Sequence, residues 1–190
     1  MTFPAPRLTA GNSSLVVIDV QDKLLAKVPG RDALVRSVGF LIDAANLLGV
    51  PVAATEQYPK GLGPTIPELA RRLAPDPPAK TAFSCCGVPG FLGALRGSGR
   101  PNVVLAGMET HVCVAQTALD LLEAGLTVFL PVDAVAARAA VDHDTAVRRL
   151  ERAGVVPTTA EAVAFEWVGD AAHPHFKPFS KLVVARGAGD

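Results

Sequence analysis

A chain of 190 residues is a little over one domain's worth at roughly 150 residues per domain, so a single domain is expected. Hydrophobic residues make up 49% and charged residues 19%, which excludes a disordered chain and leaves ample material for a core. Eighteen basic residues cancel eighteen acidic ones, so no global field recruits nucleic acid or an anionic membrane.

No apolar run approaches the roughly 18 residues of a membrane span, and the opening MTFPAPRLTAGNSS lacks a signal-peptide core. Residues 1–12 are expected to form a flexible N-terminal arm. Three cysteines, two of them adjacent, make no disulfide framework and fit a reducing cytoplasm. Ser14 to Asp19 (SLVVID) then reads as a strand buried on both faces and closed by an acid. Leu34, Val35, Val38, Leu41, Ile42, Ala45 and Leu48 recur at helical spacing, with Gly49 as the stop. Pro51 to Thr55 is a second strand, and a Pro/Gly-rich loop from Tyr58 to Pro67 comes after it. A short basic helix near Glu68 to Leu73 leads to a third strand at Ala79 to Phe83.

A helix near Phe91 to Leu95 precedes strand four, Asn102 to Gly107, and helix Val112 to Ala124 is stopped by Gly125. Leu126 to Val132 is strand five, weakened at its end by Pro131. Asp142 can cap a helix that ends at Gly154, and Val155 to Pro157 is a sixth short strand. Thr158 and Glu161 have capping-box spacing for a helix through Trp167, and one more helical segment runs from His173 to Val184. Strands alternating with helices predict an α/β fold: one doubly wound, six-stranded parallel sheet with helices on both faces. Ligands of such sheets sit beyond the carboxyl ends of the strands, at the point where strand order reverses.

Asp19, Lys80 and Cys113 fall at or near strand ends, and an acid, a cation and a thiol suit nucleophilic attack on a carbonyl. Placement of Cys113 at a helix start favours its thiolate. Each residue also has a plainer reading: Asp19 as a turn cap, Lys80 as a solvated lysine, and a cysteine as a small buried hydrophobe. The last suits Cys85 and Cys86. His111 is two residues from Cys113 and so off its helix face, which makes it a cap or rim residue. Arg148, Arg149 and Arg152 form a solvated helix face, and Trp167 belongs to the core or an interface. No Gly-rich turn comes after strand one, so a dinucleotide site is not expected, and there is no phosphate loop.

The segments VVIDVQDKLL, TEQYPKGLGPTIPEL, KTAFSC, GMETHVCV and GDAAHPHFKPFSKLV resemble the isochorismatase-like cysteine hydrolases, over nearly the whole chain. TEQYPKGLG is similar to the isochorismatase-domain-containing subgroup rather than to nicotinamidases. The resemblance implies a catalytic triad of Asp19, Lys80 and Cys113, with a cis peptide between Met108 and Glu109. It also implies an oxyanion hole made by the backbone N–H groups of Glu109 and Cys113. Relatives that cleave an enol ether carry glycine in place of the cysteine, so the thiol here implies covalent attack on an amide-type C–N bond. Nicotinamidases carry an Asp-x-His metal motif after strand two, where this chain reads Glu56-Gln57-Tyr58-Pro59; no metal and no cofactor are therefore expected.

Gln57, Tyr58 and Phe83 are candidates for the substrate pocket, with a subunit contact or loop packing as the other role open to Gln57 and Tyr58. The expected partner is a small-molecule substrate, without nucleic acid or membrane, in a homo-oligomer of two or more cytoplasmic copies. The alternative is a weak or inactive member acting as a binding or scaffold oligomer.

Overall fold

The computed structural model describes residues 7–187. Strand β1 (Ser13–Ile18) lies between β2 (Val52–Gln57) and β4 (Asn102–Met108), each parallel to it. Beyond β2 lies the two-residue β3 (Ala79–Lys80), and beyond β4 lie β5 (Thr127–Pro131) and β7 (Val156–Thr158). The order β3-β2-β1-β4-β5-β7 reverses direction between β1 and β4. Ligands are expected at that reversal, outside the strand ends.

The sheet has seven strands rather than the six expected. The seventh, β6 (Val135–Ala136), runs beside the far end of β4 after a 3-10 turn at Val132–Ala134 breaks the path of β5. That turn puts Asp133 where its carboxylate accepts the Ala160 N–H at 2.8 Å, and it also pairs with Arg186.

Alternation along β1 explains its unbroken apolar sequence. Leu15 and Val17 face α2 (Arg31–Leu48), α8 (Ala160–Val168) and α9 (Phe176–Gly187) in one core, which holds Leu41, Ile42, Trp167 and Phe179. Val16 and Ile18 face the other core, with Val114, Ala118 and Leu121 of the segment entering and forming α6 (Ala115–Glu123) and Leu150 of α7 (Ala140–Ala153). The remaining helices are short: α1 (Asp22–Leu25), α3 (Pro59–Leu62), α4 (Pro67–Ala70) and α5 (Phe91–Gly97). No described helix is long and apolar enough to cross a membrane.

Several local expectations shift. Of the stretch expected to be a loose arm, residues 1–6 lie outside the described residues. Leu8, however, is fully buried in the α2–α8 core, and its backbone N–H bonds the Glu166 carboxylate at 2.6 Å. The α8 cap is Thr159 rather than Thr158, its hydroxyl accepting the Ala162 N–H at 3.3 Å. Asp142 sits within the first turn of α7 and caps nothing, because Ala139 holds the cap position.

Gly107 marks the tightest approach in the sheet. Its φ is +115°, and an added Cβ would lie 2.1 Å from the Ile18 carbonyl oxygen. Only glycine lets β4 run this close to the end of β1. Gly107→Ala should cost about 3 kcal/mol of stability in a urea titration, since it adds both a forced backbone and a backbone clash.

Candidate active site

β1 ends abruptly at Asp19, which takes a left-handed conformation at φ 53°. Its carboxylate is fully buried at the strand-order reversal. One oxygen, Oδ1, accepts the Thr55 hydroxyl at 2.9 Å from the neighbouring β2. The other, Oδ2, accepts from Lys80 Nζ at 2.7 Å, with both side chains out of solvent. The two residues lie 61 positions apart in the chain, and the sheet brings them into contact.

Lys80 needs more than one anion to be buried. Its ammonium also donates to Gln57 Oε1 at 2.7 Å, to the Phe83 carbonyl at 2.9 Å and to the Ala82 carbonyl at 3.3 Å. This explains why the third strand stops at Lys80 rather than reaching Phe83. The chain after Lys80 curls back so that two of its carbonyls meet the ammonium, and a chain turned inward in this way leaves the line of the sheet. Phe83 contributes this carbonyl while its side chain stays half exposed, at 51%.

Gln57 is therefore a partner of Lys80, with its amide nitrogen donating to the Thr81 carbonyl at 3.0 Å. Gln21, two residues past Asp19, holds Gln57 in turn: its Oε1 accepts the Gln57 N–H at 2.7 Å and its Nε2 donates to the Gln57 carbonyl at 3.0 Å. Tyr58 is 54% exposed and its ring lies against Gly61.

The third member arrives from β4. The Met108–Glu109 peptide is cis, and Thr110–Val114 forms one π-helical turn before α6 begins. Cys113 sits in that turn, 5% exposed, with its thiol under the influence of the Asp19 carboxylate. Three successive residues of the approach are tied to the first turn of α7 and to Arg138 just before it. Glu109 accepts from Arg138 Nε at 2.7 Å, the Thr110 hydroxyl lies 3.0 Å from His143 Nδ1, and His111 Nε2 lies 3.8 Å from Asp142. His111 is thus a rim residue facing α7. Arg138, His143 and Gln21 carry no local pattern that singles them out in the sequence. Arg138 and His143 hold the turn that carries the thiol, and Gln21 holds Gln57.

The electrostatics run against the expectation of a resting thiolate. Burial pushes the Cys113 thiol up to about 12; the negative charge of Asp19 adds to this and Lys80 opposes it. The thiol proton is held at rest, whatever the helix start contributes. Burial likewise raises Asp19 above the usual carboxylate range, although Lys80, Cys113 and Thr55 all pull it down. A stronger base thus faces a weaker acid. Cys85 is also fully buried, with its sulfur 3.4 Å from the Thr55 hydroxyl and its backbone N–H on Thr117. Cys85 packs as a core residue, and Cys86 is partly buried beside it. No group of three or more His, Cys, Asp or Glu side chains that could hold a metal exists among the described residues.

Outside the strand ends lies a cavity of about 550 Å³, lined by Lys23, Leu24, Ala26, Lys27, Leu62, Glu109 and Arg138. Gln57, Tyr58 and Phe83 do not line it.

A parallel sheet with a buried acid, lysine and thiol at its reversal defines a hydrolase-type α/β fold of the kind expected from the sequence. The Isochorismatase domain family model matches residues 13–162, and the chain belongs to that family. Isochorismatase domain-containing protein 2 of Bos taurus is 43% identical over 180 residues, covering 93% of this chain and 85% of that protein. A structure described as MAR1 ribonuclease from Caenorhabditis elegans is 42% identical with a TM-score of 0.89, covering 94% of this chain and 93% of its own. The YcaC gene product of Escherichia coli, described as an octameric hydrolase of unknown specificity, is 26% identical with a TM-score of 0.85, and each chain is wholly covered.

Because the Cys113 thiol is raised, its alkylation should depend on pH in an unusual way. An ordinary thiol titrates near 8.5 and its labelling levels off above that. Mass-mapped alkylation of Cys113 should still be climbing at about pH 10, whereas a plateau near pH 8 would mean the thiolate is present at rest.

Proposed function

We propose that this protein is a cysteine hydrolase that cleaves an amide-type C–N bond of a small molecule through a thioester on Cys113. The observation that carries the reading is the buried Lys80–Asp19 pair at 2.7 Å, with the Cys113 thiol, also out of solvent, subject to the charge of that pair. Covalent attack on a carbonyl requires a nucleophile, its base and a group that orients the base.

In the first half-reaction Asp19 takes the thiol proton as sulfur attacks the carbonyl carbon. The backbone N–H groups of Glu109 and Cys113 receive the oxyanion, a role in which one donor is worth roughly 10²–10³ in rate. Asp19 then returns the proton to the departing nitrogen, and ammonia or an amine leaves a thioester behind. In the second half Asp19 takes a proton from water, and the resulting hydroxide attacks the thioester. Collapse frees the acid, and Asp19 gives its proton back to sulfur. The raised proton affinity of Asp19 supports this shuttle, since a better base gains more from a reluctant thiol.

The reading uses no metal and no cofactor. A thiol only 5% exposed suits a small carbonyl compound better than a polynucleotide, so the ribonuclease described in the Caenorhabditis elegans protein is not carried over to this chain. Ammonia release from a panel of small amides, ureides and N-carbamoyl compounds is the test. Cys113→Ala should reduce turnover to background. Asp19→Asn and Lys80→Ala should together cost little more than the larger single loss, as members of one unit do. Multiplicative losses would place Lys80 outside the reaction, turnover that survives Cys113→Ala would overturn the thioester route, and no turnover of any compound would favour a binder or scaffold.

A homo-oligomer accompanies this reading. The Escherichia coli neighbour is described as octameric, and Tyr58, Phe83, Val141, Phe165 and Val184 are exposed large hydrophobic side chains here. Light scattering should give a multiple of the 19.7 kDa chain mass; a 19.7 kDa particle at working concentration would contradict it.

A further inference from the structure

Thr55 stands between an acid that the proposed reaction uses and a thiol that it does not. Its hydroxyl lies 2.9 Å from Asp19 Oδ1 and 3.4 Å from Cys85 Sγ, and all three residues are out of solvent. They come from just past β1, from within β2 and from the 3-10 turn Cys85–Gly87. That turn is fixed from α6, where Thr117 Oγ1 accepts the Cys85 N–H at 2.9 Å. Burial raises the Cys85 thiol above its ordinary range, so its proton is in place at neutral pH.

A hydroxyl has one proton to donate and two lone pairs to accept with. An ionised Asp19 only accepts, so Thr55 donates to Oδ1 and is left to accept from the Cys85 S–H. A neutral Asp19 changes this. Lys80 donates to Oδ2, so the carboxyl proton belongs on Oδ1. Thr55 then accepts from Oδ1 and turns its own proton to the sulfur, a weak acceptor. No proton changes owner between Thr55 and Cys85; the hydroxyl only rotates.

We propose that Cys85 is a positioning residue for Asp19: acting through Thr55, it keeps the carboxyl hydrogen-bonded in both of its protonation states. A donor that cannot reverse stabilises the anion alone and makes the carboxylate a poorer base. A thiol that both donates and accepts removes that bias, which suits an acid that takes and returns a proton twice in each turnover. The inference rests on the hydrolase reading and adds a residue to its machinery.

The first test needs no substrate. The S–H stretching band falls in frequency when a thiol donates a hydrogen bond, and infrared spectra read it directly. In a chain carrying Cys86→Ser and Cys113→Ala, Cys85 is the one thiol left of three. Its band should lie below that of dilute ethanethiol in carbon tetrachloride, where nothing accepts. Adding Thr55→Val should raise it to the free position; a band that stays down would make Thr117 the acceptor and overturn the proposal. Asp19→Asn should raise it too. Lys80 takes the amide oxygen, the NH2 group faces Thr55, and the hydroxyl is forced toward the sulfur. Should Asp19→Asn not fold, acidifying the parent chain decides. Burial raises Asp19, so the band should rise before exposed carboxylates titrate. A band free from the outset, or one indifferent to the state of Asp19, overturns the proposal.

Turnover supplies the second test and separates the two readings. On a hydrolysed amide, Cys85→Ala should lower kcat about three- to tenfold, the worth of one hydrogen bond, and Cys85→Ser should restore it. Packing alone would give the opposite order, with alanine tolerated better than a buried serine, and that order overturns the positioning role. Shifting bands in a protein that hydrolyses no amide would remove the hydrolase reading and leave the two-way contact standing.

Discussion

A lysine ammonium removed from water at the end of a parallel sheet must be answered on every side, and much of the local structure does that for Lys80. Asp19 supplies the counter-charge, while Gln57 and the carbonyls of Ala82 and Phe83 supply the remaining acceptors. Burying an ion costs several kcal/mol after relaxation, so a pair left with unsatisfied donors would be a liability. The length of β3, the conformation of the loop after it and the orientation of the Gln57 amide all result from that demand. Gln21 and Thr55 extend the constraint to β1 and β2, fixing one amide and one carboxylate oxygen.

The same burial gives the thiol its character. Cys113 is placed beside an acid and out of water, and burial plus the Asp19 charge keep its proton in place. Such a sulfur is a latent nucleophile, poorly reactive toward passing oxidants and electrophiles that attack thiolates. In the proposed reaction, proton transfer to Asp19 accompanies bond formation to carbon, which ties reactivity to a substrate that is already in position. The π-turn that holds the sulfur is in turn held by His143 of α7 and by Arg138 just before that helix, outside the buried cluster.

Much of this is legible in the sequence, for physical reasons that differ by element. The unbroken SLVVID run can only be a strand buried on both faces, and the Gly49 stop of α2 is a left-handed cap as the pattern requires. Asp19, Lys80 and Cys113 stand out because the motifs around them resemble a family. Their contact depends on the strand order, which periodicity does not encode. The thiol's proton affinity is not legible, because a helix start is a local feature and burial is a tertiary one. Gln57 reads as a pocket candidate because a polar side chain after strand two could orient a substrate; its bond to Lys80 is not legible, because that residue lies 23 positions away on an edge strand. Strand β6 escapes because two residues carry no periodicity. The anchoring of Leu8 escapes because its core lies on α2 and α8, far along the chain.

The two margins of the sheet share one property. On one side β3 contributes two residues and then turns in to meet an ammonium; on the other β7 contributes three, with Pro157 in the middle. A margin this short, with a proline that offers no N–H, cannot template a further strand. The sheet is closed to growth at both ends without being a barrel. Both margins of the described sheet are thus poor places for strand addition, which leaves helix faces and loops as the surfaces better suited to contact between copies.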